Sequence, residues 1–288
     1  MPKKEGLKTE KITEKLDIEE IKKVAEELAP LELSYKTVAK GDYDNSGIIL
    51  NFGEEVKKIL FSLDLSVAAV KCAKRLGANA IVTHHPAIYY PVKSVSERDP
   101  VTNSVALAAR NGISVLSMHL NLDIAEGGID ASLAEALGAK SANETRLLDV
   151  LEEGDPRYGY GREFPAGEKG EVLTLSEFAA RAKKKLKTNK AFVYGKKNAE
   201  IKVCASFCGA GAGYAEAALK RGTLDADVVL TADMPHHILK ELVEAGKCVI
   251  IMPHYAIENY GFEKFYRRVT EKLGSRAETF YFEDGRFL

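Results

Sequence analysis

Residues 78–91 read ANAIVTHHPAIYYP. Ala80, Ile81 and Val82 form an apolar run that passes Thr83 and ends on the adjacent pair His84–His85, with Pro86 directly behind. Such a run, rich in β-branched residues, reads as a buried strand. Proline has no N–H for a sheet ladder and restricts the residue before it, so the strand stops at the histidines. Two imidazoles therefore stand at the carboxyl end of a buried strand, where open α/β sheets bind their ligands.

The flanking segments carry the same rhythm. Upstream, VKKILFSLDLS (56–66) reads as a strand entering a loop, and VAAVKCAKRLG (67–77) as a helix closed by Gly77. Downstream, TNSVALAARNG (102–112) reads as a helix, and ISVLSMHLNLD (113–123) as a strand with His119 and Asp123 at its polar end. This β-α-β order predicts parallel strands joined by right-handed crossovers. Earlier still, Asp17 is a candidate N-cap for a helix with the stripe Ile21, Val24 and Leu28, ended by Pro30. A turn-rich loop, GDYDNSG (41–47), leads into a short strand.

The pattern returns in the second half. KVCASF (202–207), ADVVLT (226–231) and KCVIIM (247–252) are strand runs, separated by helical segments after CGAGAG (208–213) and after Pro235. AETFYFED (277–284) reads as an edge strand. Between the halves, residues 152–170 are rich in Gly, Pro and charge. They read either as a linker or as a hairpin with Tyr158, Tyr160 and Phe164 turned inward. The expected fold is α/β, with a charged extension at 1–17, one α/β half at 18–128, a related half at 129–288, and a site in the cleft between them.

Composition narrows the function. With 288 residues, 45% hydrophobic, the chain is long enough to bury a substantial core. Its 41 basic and 42 acidic residues leave a net charge of -1, which disfavours nucleic-acid binding. No apolar run is long enough to span a bilayer, and the charged first residues lack the apolar core of a secretory signal, so a cytoplasmic protein is expected. The four cysteines form no CxxC, and Cys204 and Cys248 sit in apolar strand runs as small hydrophobes.

All six histidines fall in four short stretches: His84–His85, His119, His236–His237 and His254. Each stretch follows an apolar strand run, the third after a short turn. Histidines placed at random would not sort this way, and imidazole is the commonest metal ligand. Glu258 lies four residues after His254, on the same face if a helix begins there, and Asp123 lies four after His119. Neighbouring strand residues point to opposite faces, so His84 and His85 are placed to reach two ions rather than to share one. With Asp123, His254 and Glu258 they make three imidazoles and two carboxylates, a ligand set suited to a two-metal site in which Glu258 is the better bridging candidate. Such a set suits zinc, iron or manganese. His119 is expected to orient Asp123 or a substrate. His236 and His237 are candidates for acid/base work or substrate contact, or else helix-surface residues. Gly209, Gly211 and Gly213 make a tight turn that could also cradle a phosphate at a helix N-terminus. Tyr89, Tyr90 and Lys93 could contact a base or a phosphate, or simply pack.

Taken together, DNSG (44–47), THHPAIYYPVKSV (83–95), HLNLDIAEGGID (119–130), CGAGAG (208–213), TADMPHH (231–237) and PHYAIENYG (253–261) resemble the Nif-three-like family, the GTP cyclohydrolase I type 2 homologues. The resemblance runs from about Ile18 to the C-terminus. It implies a two-domain α/β protomer in a homo-hexamer, with two divalent metal ions per chain held by His84, His85, Asp123, His254 and Glu258. It also implies a metal-dependent hydrolase acting on a nucleotide-like or phosphoester small molecule. A non-catalytic metal-binding protein is the alternative. Longer relatives carry an inserted domain for which this chain is too short, and Ala232–Asp233 stands where relatives often have Gly–Glu or Gly–Asp.

Overall fold

The computed structural model describes residues 15–140, 145–153, 155–167 and 171–288. Most of the expected charged extension, residues 1–14, lies outside them. Two helices open the described chain, α1 (Ile18–Glu26) and α2 (Leu31–Ala39). Asp17 caps α1 as expected, its carboxylate accepting the Glu20 N–H at 3.0 Å; such a cap contributes about 1 kcal/mol.

The first sheet has the order β1 (Gly47–Leu50), β4 (Ser114–Ser117), β3 (Ala80–Thr83), β2 (Lys58–Ser62), β13 (Glu278–Phe282). β4, β3, β2 and β13 run parallel, and β1 closes one edge antiparallel to β4. The crossovers are α3 (Val67–Leu76), capped by the Ser66 hydroxyl and ended by Gly77, and α4 (Asn103–Arg110). AETFYFED is an edge strand as expected, but of the first sheet. Residues 47–117 supply four strands of this sheet, and residues 278–282 near the C-terminus supply the fifth.

After α5 (Leu120–Ile124) and α6 (Ile129–Leu137) comes the second sheet, ordered β5 (Arg146–Glu152), β6 (Asp155–Pro165), β10 (Val203–Ser206), β11 (Val228–Thr231), β12 (Cys248–Ile251), β8 (Phe192–Tyr194). β10, β11 and β12 are parallel. The ambiguous middle segment is the β5–β6 hairpin, with Tyr160 and Phe164 buried and Tyr158 half-buried. α7 (Leu175–Lys185) carries a full capping box between Thr174 and Glu177. A small ribbon of β7 (Leu173–Thr174) and β9 (Glu200–Ile201) lies beside it. α8 (Ala212–Lys220), α9 (His236–Glu244) and the 20-residue α10 (His254–Leu273) complete the chain.

One apolar core runs through both sheets and takes in Phe61, Phe164, Phe178, Phe207 and Phe262, each at most 1% exposed. Burying a side chain of this size contributes roughly 1.5–3 kcal/mol. A smaller cluster fills the space under α3 and α4.

Strand register places the site. Ser62 pairs with Thr83 and Thr83 with Ser117, so the three parallel strands end level. Asp64, His84–His85 and His119 therefore emerge along one edge. In the second sheet Ser206 pairs with Leu230 and Thr231 with Ile251, so Gly209, Asp233 and His254 emerge along another. α10, starting at His254, aims Glu258 between the two edges.

Candidate metal centre

Four imidazoles converge here, and each has its Nδ1 anchored on an oxygen. His84 Nδ1 donates to the Met118 carbonyl at 2.8 Å. His85 Nδ1 lies 2.7 Å from Asp64 Oδ1, His119 Nδ1 2.8 Å from Asp44 Oδ1, and His254 Nδ1 2.8 Å from Asp233 Oδ2. Anchoring of this kind fixes the tautomer and leaves Nε2 as the free ligand atom, as in metal-binding histidines. His85 Nε2 is 2.9 Å from Glu258 Oε2, and His254 Nε2 is 3.0 Å from Glu258 Oε1. His84 Nε2 lies 3.4 Å from Asp123 Oδ1 and 3.7 Å from Glu258 Oε2.

Ligand atoms within 4.8 Å of one another form three groups among the described residues: His84, Asp123 and Glu258; His85, His254 and Glu258; and His84, His85 and His119. The first two share only Glu258. His84 Nε2 and Glu258 Oε2 are buried and accept or donate no hydrogen bond, the 2.9 Å approach of His85 Nε2 to that oxygen being an ion-pair contact only. Orphaned buried atoms of this kind are costly, and a cation between them would satisfy both. Backbone presses in from the second sheet: a Cβ on Gly209, whose φ is +51°, would fall 2.4 Å from Glu258 Oε1. The donor set and the space both fit a divalent ion.

Electrostatics agree with the geometry. Burial alone would raise Glu258, but His254, His85 and His84 hold its carboxyl well below the usual range. Burial opposes charging the imidazoles, yet the carboxylates around them prevail. His84 and His85 are raised, and His254 is pushed up to about 9. Burial raises Asp123, whose Oδ1 accepts the Cys208 thiol at 3.4 Å. Asp44 is lowered to about 2, with burial opposed by its bond to His119 and by the Ser34 and Ser46 hydroxyls.

The structure brings five expected ligands and His119 together, with two differences from expectation. His119 and Asp123 do not end a strand. They bracket the first turn of α5, where the Asp123 N–H donates to the His119 carbonyl at 2.9 Å. His119 is also tied to Asp44 rather than orienting Asp123, which is held by Cys208. His236 and His237 stand exposed on the first turn of α9, and neither is among the residues lining the cavity. Sequence reasoning missed Asp64 and Cys208. Asp64 had a visible signal, since it follows a strand predicted to lie beside the one that ends at His85.

A cavity of ≈ 430 Å³ opens over this cluster, with His85, His119, Asp123, His254 and Glu258 on its floor. Tyr43 and Tyr89 line it too, as do Tyr160 and Tyr214. A second chamber of ≈ 470 Å³, which shares Asp42 and Tyr214 with it, includes Lys40 and Arg221. No helix among the described residues is long and apolar enough to cross a membrane.

Comparison with known proteins agrees with this picture. The chain is 28% identical over 264 residues to the GTP cyclohydrolase 1 type 2 homolog of Clostridium perfringens, covering 91% of this chain and 95% of that one. It is 30% identical over 229 residues to the homolog of Lactococcus lactis, covering 78% and 80%. Among solved structures, a Bacillus cereus protein related to NIF3 superposes with a TM-score of 0.79 at 20% identity, covering 94% of this chain and 98% of that one. Reduced HcgD from Methanocaldococcus jannaschii superposes at 0.73 with 26% identity, covering 93% and 98%. The model of the Duf34/NIF3 (NGG1p interacting factor 3) family matches residues 16–284, nearly the whole chain, which therefore belongs to that family.

Proposed function

We propose that the chain binds two divalent metal ions and hydrolyses a nucleotide-like or phosphoester small molecule. One ion position is made by His84, Asp123 and Glu258, and the other by His85, His254 and Glu258, with Glu258 shared. The observation that carries this reading is the pair of three-residue groups meeting on one buried carboxylate. Divalent ions bound there would supply Lewis-acid chemistry toward a phosphoryl or carbonyl oxygen. Zinc, iron and manganese all suit the mixed imidazole and carboxylate set.

The remaining work falls to the chain's own residues. Met118, Asp64 and Asp233 hold three ring nitrogens outward, so the other nitrogen of each stays aimed inward. His119, fixed by Asp44, lines the cavity and is the side chain placed to move a proton to or from a bound substrate. The curated relatives' name makes a guanine nucleotide one substrate to try. The test is turnover by metal-loaded and metal-stripped protein on nucleoside triphosphates and simple phosphoesters. Hydrolysis that appears only with metal and is lost in His119→Ala supports the reading. Equal rates in loaded and stripped protein refute it.

One observation favours the alternative, a non-catalytic metal-binding protein. His84, Asp123 and Glu258 are all buried, as suits an ion that is kept rather than used. Metal that stays bound with no turnover on any of these substrates would select it. We also propose a cytoplasmic homo-hexamer, which a native mass equal to the monomer's would refute.

A further inference from the structure

We propose that the ligand of this cavity carries a planar aromatic ring, seated between tyrosines on two walls while its reactive group lies over the metal centre. This deepens the reading above and rests on it. On one wall the rings of Tyr43 and Tyr89 pack edge to face at 5.2 Å, and Tyr89 stands edge-on to His119 at 5.8 Å. On the other, the rings of Tyr160 and Tyr214 lie 4.6 Å apart. All four line the cavity that holds His85, Asp123, His254 and Glu258.

Three of the phenol hydroxyls are already committed to protein acceptors. Tyr89 donates to the Tyr43 carbonyl at 2.8 Å, Tyr214 to Asp42 Oδ2 at 2.8 Å, and Tyr160 to the Cys208 carbonyl. These residues therefore offer a ligand ring surface more than hydrogen bonds. The wall is also fixed in place, because Asn45 Nδ2 donates to the Ile88 carbonyl at 2.6 Å, beside Tyr89. Core packing does not account for this first wall: Tyr43 is 41% exposed, and Tyr90, packed on both Tyr43 and Tyr89, is 63% exposed, whereas on the second wall the buried Tyr160 backs the half-buried Tyr214. Rigid tyrosines with their polar tips occupied favour a flat π-system over a saturated group of equal size.

The test compares phenyl phosphate with cyclohexyl phosphate by isothermal titration calorimetry. The two share a phosphate and differ mainly in whether the ring is planar. The metal-loaded protein is expected to bind phenyl phosphate about fivefold to tenfold more tightly. Tyr43→Leu and Tyr89→Leu should each shrink that preference toward unity with metal content unchanged, whereas Tyr89→Phe should keep it. Equal affinities, failure of both probes to bind, or a preference that survives both leucine substitutions overturns the inference. Stripping the metal separates this inference from the one beneath it. Both affinities should fall together while the ring preference persists. If stripping alters neither affinity and the preference remains, the ring inference stands and the metal-directed reading fails.

Discussion

Gly209→Ala probes the point where the second sheet presses on the candidate metal centre. At φ +51°, Gly209 occupies the left-handed region, where an L side chain costs roughly 1–2 kcal/mol. Its new Cβ would lie 2.4 Å from Glu258 Oε1 and 3.3 Å from His254 Nε2. The first distance is well inside van der Waals contact, so the carboxylate must move. The backbone term alone should lower the Tm of the metal-free protein by roughly 2–4 °C, at about 2 °C per kcal/mol for a chain of this length. The larger effect is on metal. Displacing the carboxylate that both ligand groups share should weaken binding by at least the roughly 10–100-fold typical of changes beside a metal ligand. Gly213→Ala is the control. That residue lies in the first turn of α8, and a Cβ there meets nothing within 4 Å. It should leave metal binding unchanged and raise stability by up to about 1 kcal/mol. Competition against a chelator gives the affinity, and calorimetry with and without metal gives the Tm. If Gly209→Ala and Gly213→Ala bind metal equally well, the geometry assigned to Glu258 is wrong.

Further outcomes follow from single contacts. Asp64→Asn removes the carboxylate behind His85 and should weaken the His85–His254 position about 10–100-fold while sparing the His84–Asp123 position; equal weakening of both in a metal titration counts against two separate groups. In the metal-free protein His254 sits at about 9, above its ordinary value near 6.5, so its favourable contribution is present below pH 6.5 and lost as pH rises through 9. Metal replaces those protons, so the gap in Tm between loaded and stripped protein should widen from pH 6.5 to 9, and a constant gap would contradict this. Asp130, pushed up to about 7 by burial, faces Arg162 Nε at 3.0 Å. Because the folded value lies above the ordinary 3.8, this carboxyl should cost stability as pH rises from about 4 to 7, and Asp130→Asn should remove that fall in denaturant unfolding; parallel pH profiles for wild type and variant would contradict it.

The candidate cluster was legible in the sequence because most of its members follow a strong local signal. An apolar run marks a strand end, and a four-residue spacing marks one face of a helix. A shared face for His254 and Glu258 was conditional on a helix beginning at His254, and α10 does begin there. The turn from His119 to Asp123 was not readable. Five residues are too few to show a helical period, and the apolar strand run directly before them masks the change. The carboxylates behind the imidazoles were legible only in part. Asp44 stood in the turn-rich loop 41–47 with no local sign of its partner His119, whereas Asp64 follows the strand run that the β-α-β order predicts to be parallel to the one ending at His85. For His236 and His237 two readings stood open, and their exposed place on α9 fits the helix-surface one. Their sequence position resembles that of the ligands, but the turn before them ends in Pro235, and α9 begins with both side chains facing outward.

The two-ion centre is tested most directly by counting metal per chain after reconstitution and gel filtration, in the wild type, Asp123→Ala and Glu258→Ala. Two ions, one ion and none are expected in that order, because Asp123 belongs to one ligand group and Glu258 to both. A Glu258→Ala protein that keeps the wild-type metal content, or a wild type that stays empty with zinc, iron and manganese alike, would contradict the proposal.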